Sequence, residues 1–261
     1  MIRRFISQTW IGAKRRQGGL GPVEFLVYRV GISITTLILY VLIAQYTTGG
    51  EINLTAWVIG NAFALCVYQC VHSLGVTFDQ ERFQGVLKII IVSPTSKLTT
   101  IMHNGAYALL MASITIVVAF ITGGLLFGVP FAELHLGMFA IAILVAAFTC
   151  TGLGLLLAVF ALITDSMYLM LNAIAMLLII FSGANFPVAQ LPIFAQWIAN
   201  AFPLYRSVAA GNMAMGGNLS PDFWQLVRGE IILGVIFYLS AFALIKAIER
   251  ISIRKATLDM F

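Results

Sequence analysis

The sequence predicts an all-α polytopic membrane protein with six transmembrane helices. It also predicts an N-terminal interfacial helix, a cytoplasmic amphipathic helix after the second span and an extracellular re-entrant helical hairpin before the sixth. Three observations support this. Of the 261 residues, 61% are hydrophobic and 10% charged, and mean hydropathy is +0.99, so the chain has far more apolar surface than one soluble core could bury. The apolar residues fall in runs of about 20, the length of one bilayer crossing. Threading those runs through a membrane puts thirteen of the fifteen Lys and Arg residues on one side, which the positive-inside rule makes the cytoplasm. The net charge of +5 therefore orients the chain in a bilayer, with lipid as its partner and no nucleic acid expected.

The first 22 residues form an interfacial elbow rather than a span. Ile2, Phe5, Ile6, Thr9, Trp10 and Ala13 make one stripe, and Arg3, Arg4, Ser7, Gln8, Lys14 and Arg15 make the other, the pattern of a helix lying among headgroups. Gly18, Gly19, Gly21 and Pro22 then break it. No continuous apolar core with a small-residue cleavage site precedes the first span, so that span is expected to anchor the chain. The spans are placed at 26 to 46, 54 to 77, 99 to 128, 136 to 163, 167 to 186 and 224 to 247. Both termini and the loop from 78 to 97 are then cytoplasmic. Cys66, Cys70 and Cys150 all lie in apolar runs and read as packing residues rather than a disulfide framework.

Two segments do not read as plain spans. From Asp79, the residues Phe83, Val86, Leu87, Ile90 and Ile91 fall at helical spacing on one face, with Glu81, Arg82 and Lys88 largely opposite, and Ser93 and Pro94 end the pattern. A short charged amphipathic helix over 79 to 94 is a docking element, suited to feel another protein's movement. The second segment runs from Phe181 to Asn218. It is apolar, but Pro187, Pro192 and Pro203 cut it into pieces of about ten residues, too short to cross and long enough to enter and return. Such backbone must be buried in protein or line a wet cavity, because lipid offers no hydrogen bonds. A hairpin over 187 to 217 is the expected result, within a single membrane domain spanning 1 to 261.

In order and spacing, these two segments resemble the permease subunits of type 2 ATP-binding-cassette (ABC-2) transporters. The first carries Glu81, Arg82, Gly85, Val86, Leu87, Lys88 and Pro94, where the family pattern is acidic, Arg, two residues, Gly, Thr-Leu-Glu and then proline. Val86 and Lys88 depart from it. The second carries Phe181-Ser182-Gly183, Phe186-Pro187, Leu191-Pro192 and Pro203-Leu204-Tyr205, as the family often does. The resemblance implies a bacterial inner-membrane exporter permease that pairs with a second permease chain, identical or related. It also implies a phosphate-loop ATPase that docks on the 79 to 94 coupling helix. Glu81, Arg82, Gly85, Leu87, Lys88 and Pro94 would form the coupling surface, and Pro187, Pro192 and Pro203 the gate. The chain has no G-x-x-x-x-G-K-[ST] loop, so ATP and magnesium would sit on the partner, with no cofactor in this chain.

Polar residues within spans are functional candidates because lipid burial is costly to them. Asn61, Gln69 and His72 share one broad face of the second span at helical periodicity, and Asn172 lies in the fifth. They would line a translocation path or join helices by hydrogen bonds. His72 has no second ligand at i+3 or i+4, so no metal site is expected. Gly152 and Gly154, and likewise Gly123, Gly124 and Gly128, are expected to allow close helix approach. Arg228 and Glu230 are expected to anchor the outer end of the sixth span by pairing with Asp222, Arg206 or a lipid headgroup.

Other classes fit less well. A membrane enzyme would show G-x-S-x-G, H-E-x-x-H or clustered aspartates, and none is present. A secondary transporter would carry carboxylates near the midplane, whereas Asp165 falls at a predicted cytoplasmic turn. A passive channel stays open, distinguished by its independence of an ATPase. The expected function is export of an amphiphilic or hydrophobic substrate, such as a drug, peptide antibiotic or lipid-linked molecule, with polysaccharide or glycolipid export as the nearest competitor.

Overall fold

The computed structural model describes residues 22–47, 49, 53–72, 74–75, 97–160, 167–216 and 220–255, and every regular element among them is helical. Helix α1 spans Pro22–Thr47, α2 Leu54–Val67 with a π turn at Tyr68–His72, α3 Lys97–Phe127 and α4 Leu136–Phe160. Helix α5 spans Met167–Phe181, α6 Ile193–Ala201, α7 Tyr205–Met215 and α8 Pro221–Lys255, with short 3-10 turns at Phe131–Glu133 and Val188–Gln190. The predicted coupling helix at 79 to 94, the turn holding Asp165 and all of the predicted elbow but Pro22 lie outside the described residues. Pro22 opens α1 at its first position, where a missing N–H removes no helix bond.

Among the described residues, five helices are long and apolar enough to cross a membrane: α1, α2 with its π turn, α3, α4 and α8. The span predicted at 167 to 186 is shorter in the structure, because α5 stops at Phe181. Its 15 residues measure about 22 Å at 1.5 Å per residue, against a hydrocarbon core of about 30 Å. The stop is local chemistry. The Ser182 hydroxyl donates to the Ile179 carbonyl (2.9 Å) and accepts from the Ala184 N–H (3.2 Å), and Gly183 takes φ +74°. These contacts close the helix end with a side chain and a left-handed residue.

Helices α2 and α4 are the central pair. About three-quarters of each is buried within the chain, 76% and 78%, against 22% for α1 and α8. Lipid gives no hydrophobic drive between helices, so close packing over small residues must supply the attraction. The glycines show where it does. A Cβ on Gly154 of α4 would lie 2.6 Å from the Cys70 carbonyl oxygen, which places α4 directly on the π turn of α2. Gly152 sits against the Tyr238 ring and the Gly234 carbonyl of α8, and Gly234 sits against the Phe148 ring of α4. Phe148 and Tyr238 stack between the same helices at 4.9 Å. Gly123 of α3 meets Leu37 of α1 and Val58 of α2, and Gly124 meets Phe131. Gly128 corrects the expected trio: it has φ +71° and no atom near a Cβ position, so it ends α3 rather than packing. Cys66, Cys70 and Cys150 are free, buried thiols, with Cys70 Sγ 3.4 Å from Thr151 Oγ1.

Candidate functional site

Between α5 and α8 the chain folds into two short helices at the predicted proline breaks. Pro187 precedes the 3-10 turn, Pro192 is the N-cap of α6, and buried Pro203 precedes Leu204, the N-cap of α7. The helices hold nine and eleven residues. The Gln196 side-chain amide donates to the carbonyls of Leu191 (2.8 Å) and Ala189 (3.2 Å), which fastens α6 to the turn before it. Phe181 at the end of α5 stacks on Phe202 at 5.9 Å. The Phe-Ser-Gly, Phe-Pro, Leu-Pro and Pro-Leu-Tyr motifs thus each hold one corner of this segment.

The two helices differ in burial. On α6, Ile193, Phe194 and Trp197 are 69–75% exposed and form an apolar face. On α7, Ser207, Val208, Ala210, Gly211, Ala214 and Met215 are buried. Gly211 seats α7 on Ile59 and Phe63 of α2, each 3.1–3.2 Å from its Cβ position. The His135 N–H donates to the Ala214 carbonyl at 2.9 Å and ties the far end of α7 to the start of α4. Helix α7 is therefore part of the core, and α6 is carried on it.

The near end of α7 is tied by a buried acidic side chain. Glu230 of α8 has no exposed surface, and its Oε1 accepts the Leu204 N–H at 2.8 Å. Helix N-termini carry unsatisfied N–H groups and a positive dipole end, so a carboxylate there is well placed. Leu204 has φ +84°, the only non-glycine residue with positive φ among the described residues, and it too is wholly buried. The Glu230 peptide carbonyl lies 3.1 Å from the Thr149 hydroxyl of α4, which also reaches its own Val145 carbonyl at 3.0 Å. Gly229 lets the Arg206 side chain lie against α8, with Cδ and Nε 3.0 Å from its Cβ position. Asn200, Tyr205, Arg206, Asp222, Gln225 and Leu226 line an open cleft of about 470 Å³ beside this junction.

The predicted residues divide. Pro187, Pro192 and Pro203 are brought together in the two-helix segment. Asn61 and Gln69 are buried in α2, and the Asn61 amide donates to the Trp57 carbonyl of its own helix at 3.0 Å. Gln69 and His72 fall in the π turn, which has more residues per turn than the α-helix whose periodicity assigned them to one face with Asn61. Asn172 stands apart on an exposed face of α5, bonded to the Tyr168 carbonyl at 2.9 Å. Glu81, Arg82, Gly85, Leu87, Lys88 and Pro94 lie outside the described residues. Glu230 does more than the expected anchoring: its carboxylate accepts the Leu204 N–H, and Arg206 acts on it through charge. The signal for it was an acid inside an apolar span.

Membrane-length helices packed on a central pair define an integral membrane protein, and the proline-cut segment built into its core suits a permease. Residues 24–214, well over half of the chain, match the family model of the ABC-2 type transporter, and the chain belongs to that family. It is thus the permease component of an ABC-type exporter, a family that is not itself catalytic and normally works with a partner ATPase subunit. A comparison with curated proteins returned no match.

Proposed function

We propose that this permease exports an amphiphilic or hydrophobic molecule from the cytoplasm or inner leaflet of a bacterial inner membrane, with both chain termini cytoplasmic. Two permease chains work with two phosphate-loop ATPase subunits, which hold the ATP and magnesium. The segment from 79 to 94 is the coupling helix, where Glu81, Arg82 and Lys88 make polar contacts, Leu87 packs, Gly85 allows close approach and Pro94 ends the helix. The segment from 187 to 217 is a re-entrant hairpin on the outer side and acts as the gate, shaped by Pro187, Pro192 and Pro203.

One observation carries the gate assignment. Helix α7 touches α2, α4 and α8 at once, through Gly211, the Ala214 carbonyl and the Leu204 N–H, so a rearrangement of those helices is passed to the hairpin. The exporter reading is tested by gentle solubilisation of the chain and mass spectrometry of the proteins that co-purify, with Gly85→Trp as the control. A phosphate-loop ATPase that appears with the native chain and is lost with Gly85→Trp supports both the exporter and the docking assignment. An ATPase that stays bound to Gly85→Trp, with unchanged ATP-dependent transport, sinks the docking assignment. Absence of any ATPase across several mild detergents favours a channel or secondary carrier.

A further inference from the structure

We propose that Glu230 is the latch of the outer gate: its carboxylate holds the N-terminus of α7 against α8, and the hairpin lifts when that bond is released. The proposal rests on the reading of the hairpin as a gate and adds the residue that sets its resting position. Glu230 lies beyond residues 24–214, the part of the chain the family model covers.

The argument begins with burial. Among the described residues, Glu230 is the only Asp, Glu, Lys or Arg that is buried, and it has no exposed surface at all. A carboxylate in an apolar helix is tolerated only when it is hydrogen-bonded. Its 2.8 Å bond to the Leu204 N–H comes from the start of a short helix that follows Pro203, and not from a neighbouring span. Removing α7 would leave the charge with that bond broken, so the buried acid draws the hairpin back.

The opposing force is in the backbone. Leu204 is held at φ +84°, a region that L-residues with a branched side chain rarely enter. It stays there because its side chain is buried and its N–H is bound. Release of the bond lets the residue relax, which moves the start of α7. The site also has a second arrangement within reach. Glu230 Oε2, Ser207 Oγ and Arg206 Nη1 are all buried and without a hydrogen-bond partner. The Ser207 hydroxyl and the Arg206 guanidinium lie close enough to act on the carboxylate. A shift of α7 can therefore exchange the backbone bond for a side-chain bond. Meanwhile the Thr149 hydroxyl on the Glu230 carbonyl joins the latch to α4, one of the two central helices.

The test uses the full chain, reconstituted in lipid with its ATPase partner. Ala210→Cys reports α7 opening, because Ala210 is 1% exposed there, and Ala112→Cys on α3, 0% exposed, reports general loosening. Both are labelled with a membrane-impermeant maleimide, against the background of the three buried native thiols. Glu230→Leu removes the acceptor, and Glu230→Gln keeps an oxygen for the Leu204 N–H while removing the charge. The expected result is labelling at Ala210→Cys faster by on the order of ten- to a hundredfold in Glu230→Leu, the equilibrium weight of a hydrogen bond to a charged group. Glu230→Gln should show a smaller rise, and labelling at Ala112→Cys should not change. Unchanged labelling at Ala210→Cys overturns the proposal, and so does an equal rise at both positions, which would make Glu230 a residue of general stability. If Glu230→Leu does not assemble, Glu230→Gln decides alone: a rise confined to Ala210→Cys supports the latch, and no rise overturns it. The gate reading fails separately, if labelling at Ala210→Cys in the otherwise native chain is indifferent to ATP.

Discussion

Gly60→Ala tests the contact on which the start of the hairpin rests. Gly60 lies inside α2, and a Cβ there would stand 2.6 Å from the Ala184 oxygen, 2.7 Å from its Cα and 3.1 Å from its carbonyl carbon. All three are backbone atoms of the turn that closes α5, so no side-chain rotation can relieve the contact. The turn would have to retreat by about 0.8 Å to reach the 3.4 Å at which ordinary contact begins. Overpacking of this kind costs about 1–3 kcal/mol. Alanine returns up to about 1 kcal/mol over glycine inside a helix, so the net destabilisation should reach up to about 2 kcal/mol. Gly31→Ala in α1 is the control, since nothing lies within 4 Å of its Cβ position, and it should stabilise by about 0.5–1 kcal/mol. Unfolding midpoints of the two variants and the native chain, measured side by side in one detergent, should therefore move in opposite directions. Midpoints that rise together would refute the close approach of α2 to the hairpin turn.

Thr149→Val removes the hydroxyl shared between the Val145 and Glu230 carbonyls and should lower stability by about 0.5–1 kcal/mol in the same unfolding assay. A larger loss would mean that the hydroxyl carries more than this one link between α4 and α8. Pro192→Ala frees the N-cap of α6 and should change outer-side labelling at Trp197→Cys while ATPase co-purification stays at the native level. Loss of the ATPase in that variant would contradict the proposed placement of the hairpin on the side away from the partner.

Much of the architecture was legible because it is local. The apolar runs located α1 to α4 and α8, and the three prolines set the lengths of α6 and α7 through a rule that needs no tertiary information. Ser182 and Gly183 could have shown where α5 stops, but an apolar run does not reveal that its last residues have left the helix. The π turn at Tyr68–His72 was not legible at all. Its Cys70 backbone packs against Gly154 of α4, a contact between residues 84 positions apart in the chain, and nothing in the composition of the turn marks it. The regular angle at which the face of Asn61, Gln69 and His72 was drawn does not hold past Val67, where the π turn begins. Glu230 was read as an interfacial anchor for a related reason: the sequence shows how far an acid stands from the end of a span, and not that a second helix will cover it. Its cover is α7, whose N-cap is 26 positions earlier.

The arrangement around Glu230 also bears on how the protein is made. A nascent chain enters the membrane from its N-terminal side, and α8 is the last of the described helices to arrive. Its largest interface is with α4, so the face of α4 bearing Thr149 and Gly152 waits in lipid until α8 is delivered. Thr149 can wait, because the Val145 carbonyl of its own helix satisfies the hydroxyl in the interval. Glu230 is bonded to two other elements, by the Leu204 N–H on its carboxylate and the Thr149 hydroxyl on its peptide carbonyl, and both partners precede it in synthesis. The one buried carboxylate among the described residues thus arrives only after the N–H that binds it has been built.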